Sequence, residues 1–292
     1  MIVEAGVELA RLTTLGTGGP ARRFARPETL PELEEALRLA AAEGLPVGVV
    51  GLGSNLLVAD EGVDALVLRL AGELAAVSTG AGELVAGGGA ANAVALHAAR
   101  NAGLAGFEFA CAIPGTAGGG VRMNAGAYGS DWASVLRRAL VADESGSHWR
   151  TPDELGLGYR RSNLAPGQVV AEVEFALAPG DPGTIKARVG ELNALRKAAQ
   201  PTNRRTFGSV FKNPDHDLTA GRMLEACGLK GHRIGGAVIS PKHANFIENA
   251  GGARSADAVA LMVEARRRAR EQYGVALEHE VQFLGALELP ED

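Results

Sequence analysis

Residues 111 to 129 read CAIPGTAGGGVRMNAGAYG, and Gly115, Gly118, Gly119, Gly120, Gly126 and Gly129 leave a long stretch of main chain with almost no side-chain cover. Glycine loses more conformational freedom on folding than any other residue, so such density points to backbone that turns at positive φ or is approached closely. Uncovered N–H groups in succession form an anion-binding concavity that suits a phosphate or pyrophosphate. The stretch also holds Ile113, Pro114, Val121, Met123, Ala125 and Ala127, whereas solvated linkers are rich in Ser, Lys and Glu. It reads as backbone buried against something, not as a surface loop.

A second glycine loop, VVGLGSNLLV at 49–58, follows the apolar run Val47 to Val50 and offers Gly51, Gly53, Ser54 and Asn55. This is the pattern of a strand that ends in a phosphate-facing turn. Neither loop is a P-loop, because GxxxxGK[ST] is absent, and residues 51–56 fail GxGxxG at Leu56. Gly16 to Ala21 matches GxGxxA formally, but Pro20 stands where a helix would have to begin, so no Rossmann turn is expected there.

The 292 residues suffice for two or three compact units. A composition of 46% apolar and 22% charged residues is that of an ordinary globular protein, and its 40 glycines exceed the usual share of about 7%. A net charge of −5 argues against nucleic acid, which needs a basic face. The opening MIVEAGVELARL carries Glu4 and Glu8 and lacks a basic leader, and no apolar run of about 18 residues occurs, so a cytoplasmic chain without membrane contact is expected. Cys111 and Cys227 do not make a disulfide framework, the histidines show no HExxH or paired-cysteine spacing, and no metal site is expected. No obligate protein partner is evident.

Thr29 and Glu32 fit a capping box ahead of a helix with Leu30, Leu33, Leu37 and Ala40 on one face, ended by Gly44. Short strands are expected within 63–89, a helix over 90–101, a hairpin over 135–150 turning at 144–146, and a strand at 169–179. A helix from about Ile185 to Ala199 precedes a domain boundary near Gln200 and Pro201. Beyond it come a helix at 220–227, strands at 236–240 and 244–248, a helix from Ser255 to Tyr273, and a final strand, ALEHEVQFLG, carrying two glutamates. Arg266, Arg267, Arg268 and Arg270 read as solvated cations near a helix C-terminus.

Four phrases together, GLGSNLLV at 51, IPGTAGGGVRMNAGAYG at 113, GSVFKNP at 208 and LEHEVQFLG at 277, resemble the signatures of the UDP-N-acetylenolpyruvoylglucosamine reductase family. TTLGTGGPA at 13, GYRRSN at 158 and the stretch 220–249 support it in the same order, so the resemblance spans nearly the whole chain. It implies an α+β fold: a two-part FAD-binding unit of the PCMH/vanillyl-alcohol-oxidase type, not Rossmann, plus a C-terminal α+β substrate-binding domain. The implied division is 1–195 for the FAD unit (subparts about 1–60 and 61–195, with 276–292 returning to the first) and 196–275 for the substrate domain. It implies an NADPH-dependent flavoenzyme that reduces UDP-N-acetylglucosamine enolpyruvate in peptidoglycan precursor synthesis. Another FAD-dependent oxidase or dehydrogenase on the same fold is the alternative from enzymology, and a silent flavin-binding module the alternative outside it.

Carried over by position, Gly51, Gly53, Ser54, Asn55, Leu56, Pro114, Gly115, Thr116, Gly118, Gly119, Asn124 and Gly126 would contact FAD. Tyr128 and Asn213 would bind the sugar nucleotide, with Lys230 and Lys242 toward its phosphates. Arg160 and Glu280 would stabilise charge on the enolpyruvyl carboxylate, and Ser209 would deliver a proton, with Lys212 as a cationic neighbour. The chain lacks room between Asn213 and Arg222 for the tyrosine-bearing lid of the family's longer members and resembles the shorter branch.

Overall fold

In the computed structural model, which describes residues 2–80 and 82–290, Thr29 caps the helix Leu30–Ala42 as its spacing to Glu32 predicts. The Thr29 hydroxyl accepts from the Glu32 N–H, while the Glu32 carboxylate takes the N–H of Glu28 and not that of Thr29. Leu33, Ala36, Leu37 and Ala40 are buried in one cluster with Leu66, Leu68, Val169 and Ala171. Burial of each such leucine is worth about 1.5–3 kcal/mol, which is why the apolar face and not intrinsic propensity holds the helix.

The chain divides into two compact units that interleave along the sequence. The first takes residues up to 5, 23–52 and 65–196, and the second takes 6–22, 53–64 and 197 onward. In the first, Val47–Val49 pairs in parallel with Leu66–Leu68. A five-stranded antiparallel sheet follows, in the order Gly146–Arg150, Leu136–Asp143, Val169–Ala176, Glu83–Gly87, Val77–Gly80. Its hairpin turns between Asp143 and Gly146, where the sequence places it. The side away from Leu30–Ala42 carries a core of Phe107, Phe109, Trp132 and Phe175, whose rings meet at 4.9–6.0 Å. The helix Pro182–Ala199 starts three residues earlier than its apolar spacing suggests. Asp181 accepts the Thr184 N–H at 2.7 Å, and Pro182 occupies the first turn, a start signal written in DPGT rather than in periodicity.

In the second unit, Arg233–Ile234, Ala237–Ile239 and Ile247–Asn249 form a three-stranded antiparallel sheet. The helix Ser255–Tyr273 buries Ala258, Leu261, Met262, Ala265 and Ala269 in a core with Phe207, Phe211, Met223, Leu224 and Ile247. Its ends match the expected ones. Gly274 leaves it at φ 67, and Asp60 accepts the N–H groups of Ser255 and Ala256 at 2.8 and 2.9 Å. Arg267 and Arg268 are bound to Glu264 and Glu271 of the same helix, and their bonds hold the Glu264 carboxyl down to about 2.

Gln282–Leu284 pairs in parallel with Leu56–Val58. The final strand is therefore shorter than ALEHEVQFLG, and Glu278 and Glu280 lie ahead of it. Gly16 to Ala21 runs into the strand Pro20–Ala25, so no helix follows that glycine pair and the Rossmann turn is absent there. The architecture is α+β. Among the described residues no helix is long and apolar enough to cross a membrane, and no cluster of His, Cys, Asp or Glu is placed to hold a metal ion.

Candidate active site

The central glycine stretch is not uniformly bare. Ala117–Arg122 is a short helix capped by Thr116, whose hydroxyl accepts the Gly119 N–H at 3.4 Å. The N–H of Gly118 donates to Gly88 O and that of Gly120 to Thr116 O. These three N–H groups are therefore committed within the protein and are not the open concavity that the sequence suggests. Most of the glycines answer to packing. A Cβ on Gly118 would stand 2.9 Å from Gly88 O, on Gly120 2.3 Å from Trp132 Cε2, on Gly126 2.6 Å from Ser130 O, and on Gly51 2.7 Å from Thr116 Oγ1. The Gly51 contact joins the two glycine loops within the first unit.

Gly119 differs. It is exposed, and a Cβ there would meet only Thr116 Oγ1 at 3.5 Å. The fold leaves that position of the helix uncovered, one turn from its Thr116 cap. Arg122, one turn on and so on the same face, is half-buried. Burial lowers its pKa, and among the described residues no carboxylate lies within ion-pair distance. Nothing in the sequence marked Arg122; a cation so held suits an anionic ligand.

Among the described residues, the three non-glycine positions at positive φ are Asn124 (38°), Tyr128 (53°) and Arg160 (53°), all of them singled out by the sequence. For such residues this region costs roughly 1–2 kcal/mol each. Asn124 is buried and fully used. Its Nδ2 donates to Asp131 Oδ2 and Gly158 O at 3.1 and 3.0 Å, and its Oδ1 accepts from Ala133 N at 2.9 Å, so it ties the loop together. Tyr128 and Gly129 (φ 83) turn the hairpin Gly126–Ala127/Ser130–Asp131, which presents the Tyr128 ring at its tip. Arg160 Nη2 donates to Gly126 O at 2.6 Å, and Ser162 Oγ to Arg122 O at 2.8 Å, which holds 158–162 alongside 122–126.

In the second unit, Gly53 sits at φ 64 with Leu12 O only 2.1 Å from where a Cβ would be, which anchors the GSNL loop on residues 12–14. Asn55 Nδ2 donates to Glu280 O at 3.2 Å, and Gln282 N donates to Asn55 O at 3.0 Å. Glu280 N in turn donates to Val210 O at 2.8 Å, one residue from the half-buried Ser209. Thus the segments bearing Asn55, Ser209 and Glu280 run side by side. Lys212 is held by Glu278 at 2.5 Å, so its charge is already matched and it is less available to a Ser209 alkoxide than the sequence suggests. Asn213 Oδ1 accepts the Ala220 N–H at 3.1 Å, at the start of the helix Ala220–Ala226. Lys230 Nζ binds Glu225 at 2.6 Å and Lys242 Nζ binds Lys197 O, so each lysine already has a protein partner.

Asn245, unmarked by sequence reasoning, is buried at 4% exposure with both ends of its amide on the main chain of Phe211. Cys111 and Cys227 are free thiols, raised in pKa by burial.

Comparison with known proteins gives a consistent picture. Residues 200–284 match the UDP-N-acetylenolpyruvoylglucosamine reductase C-terminal domain, and residues 21–152 match an FAD-binding domain. The chain is 45% identical over 279 residues to UDP-N-acetylenolpyruvoylglucosamine reductase 2 of Symbiobacterium thermophilum, covering 95% of this chain and 90% of that one. It is 45% identical to the reductase of Rubrobacter xylanophilus, with 95% and 93% covered. The crystal structure of the reductase (MurB) from Thermus caldophilus is similar with a TM-score of 0.85 at 40% identity, over 97% of this chain and 99% of that one.

Proposed function

The chain belongs to the UDP-N-acetylenolpyruvoylglucosamine reductase family, and from that premise we propose how its residues divide the reaction. The enzyme is an FAD-dependent oxidoreductase that uses NADPH to reduce UDP-N-acetylglucosamine enolpyruvate to UDP-N-acetylmuramate. We place it in the cytoplasm. When bound, FAD supplies the hydride relay from NADPH to C3 of the enolpyruvyl ether. Every other task falls to the chain.

Gly51, Gly53, Ser54, Asn55, Leu56, Pro114, Gly115, Thr116, Gly118, Gly119, Asn124 and Gly126 are assigned to the flavin nucleotide. For Gly118 and Asn124 the role is to shape the loop, since the Gly118 N–H and the Asn124 side chain are already bonded within the protein. Arg160 is assigned to the enolpyruvyl carboxylate, where its planar guanidinium can hold both oxygens. Glu280 is assigned as the hydrogen-bonding partner of the enolpyruvyl group as negative charge develops on it. Ser209 delivers a proton to C2, completing addition of hydride and proton across the double bond. Tyr128, Asn213, Lys230 and Lys242 are assigned to the sugar nucleotide. The two lysines must exchange their present partners to reach its phosphates.

The observation that supports this reading is the main-chain bond from Glu280 N to Val210 O, by which the segments carrying Glu280 and Ser209 run side by side. The test is spectral. Purified protein should show flavin absorbance that NADPH bleaches without oxygen and that the enolpyruvyl nucleotide restores; failure of the nucleotide to restore it would sink the assignment.

A further inference from the structure

We propose that Asn245 is a positioning residue for the segment carrying Ser209, its side-chain amide acting as a one-residue strand. Phe211 and His279 form an isolated antiparallel bridge, closed by Lys212 N to Glu278 O at 2.9 Å and Glu280 N to Val210 O at 2.8 Å. In a pair of that kind the N–H and C=O of Phe211 point away from residues 278–280. Asn245 meets both. Its Oδ1 accepts the Phe211 N–H at 2.9 Å and its Nδ2 donates to Phe211 O at 2.8 Å, while its own main-chain O accepts the Val210 N–H at 2.9 Å.

Residues 210–212 are thereby held on both edges, by Glu280 on one and by Asn245 on the other. Asn245 is fixed in turn, since its N–H donates to His243 Nδ1 at 3.2 Å. His243 packs against Gly221, where a Cβ would lie 2.6 Å from its Cε1, and edge-on to Phe246 at 5.0 Å. A general acid must be held within hydrogen-bond reach of the atom it serves, and displacement of about 1 Å can cost 10²-fold. Asn245 touches neither Ser209 nor Glu280 through its side chain. It acts through the backbone between them.

The inference rests on the reductase reading, and its test separates the two. Asn245→Ala should retain FAD and keep flavin reduction by NADPH within a few-fold of wild type, while reoxidation by the enolpyruvyl nucleotide slows by about tenfold or more. Amide exchange read by NMR, independent of flavin, should show the Phe211 N–H protected in wild type and exposed in Asn245→Ala. Asn245→Asp gives a signature that simple destabilisation would not. Its protonated carboxyl can accept from Phe211 N–H and donate to Phe211 O, so its deficit relative to wild type should shrink as pH falls. The neighbouring groups Lys212, His243, Glu278, His279 and Glu280 are common to all three proteins and cancel in that ratio.

Reoxidation of Asn245→Ala at the wild-type rate, or an Asp variant that tracks Ala at every pH, would overturn the proposal. A wild-type flavin that the nucleotide cannot reoxidise would instead sink the functional reading, and the Phe211 exchange would still decide the clamp.

Discussion

Replacing Gly119 by valine should uncouple cofactor binding from folding. Gly119 is the third residue of the helix Ala117–Arg122, and a Cβ there meets only Thr116 Oγ1, at 3.5 Å. Valine and glycine differ by no more than about 0.5 kcal/mol in intrinsic helix propensity. The apoprotein should therefore unfold in urea within about 0.5 kcal/mol of the parent. The two methyls project into the face assigned to FAD. If they weaken binding a hundredfold, the effect on stability can be worked out. FAD at a hundred times its Kd raises the parent's stability by about 2.7 kcal/mol, whereas the same FAD concentration raises the variant's by about 0.4 kcal/mol. Gly120→Ala is the control. Its Cβ would lie 2.3 Å from Trp132 Cε2, so it should cost about 1–3 kcal/mol with or without FAD. Fluorescence titration of flavin into the parent and both variants, with urea melts of apo and loaded protein, gives these numbers. Undiminished FAD affinity in Gly119→Val would refute the reasoning.

Ser209→Ala should leave flavin reduction by NADPH within a few-fold of wild type and slow reoxidation by about 10²- to 10⁴-fold in stopped-flow measurement, since only the second step consumes the proton. Glu280→Gln should keep more turnover than Glu280→Ala because the amide can still donate, and equal losses would remove the hydrogen-bonding role. Arg160→Lys should lower kcat/KM for the nucleotide sharply, since an ammonium cannot hold a carboxylate with two parallel bonds; unchanged turnover would take Arg160 off the carboxylate. Tyr128→Asn should raise the melting temperature, because asparagine tolerates φ 53 better than tyrosine, while raising KM for the nucleotide; a variant neither more stable nor weaker in binding would mean the strained turn serves no ligand.

What the sequence made legible was local. The helix Ser255–Tyr273 and the hairpin over 136–150 follow from spacing and turn residues a few positions apart, and they stand where expected. The glycines of 118–120 were legible as a cluster, but not in purpose. Where an N–H points, and that Trp132 presses on Gly120, are decided by packing across the loop. The start of the helix Pro182–Ala199 was missed because periodicity outweighed the Asp181-Pro182 signal. In the site, the residue types of Ser209 and Glu280 were visible, but their adjacency depends on main-chain pairing between segments some seventy positions apart, and the Asn245 amide that holds one of them leaves no local pattern at all.

The pairing of Gln282–Leu284 with Leu56–Val58 sets a timetable for synthesis. The first unit has all its residues once position 196 has been made, and can close its five-stranded sheet while translation continues. The second owns two segments set between those of the first and one that follows it. Leu56–Val58 stands without this parallel neighbour until residue 284 has cleared the ribosome, about 10 to 45 seconds after Val58 is made at about 5–20 residues per second. Asp60 likewise waits for the helix start it caps at Ser255. For that interval an apolar strand edge is open to other chains. Yield in the cell should therefore depend on the rate at which the last third of the chain is translated, more than on the stability of the finished fold.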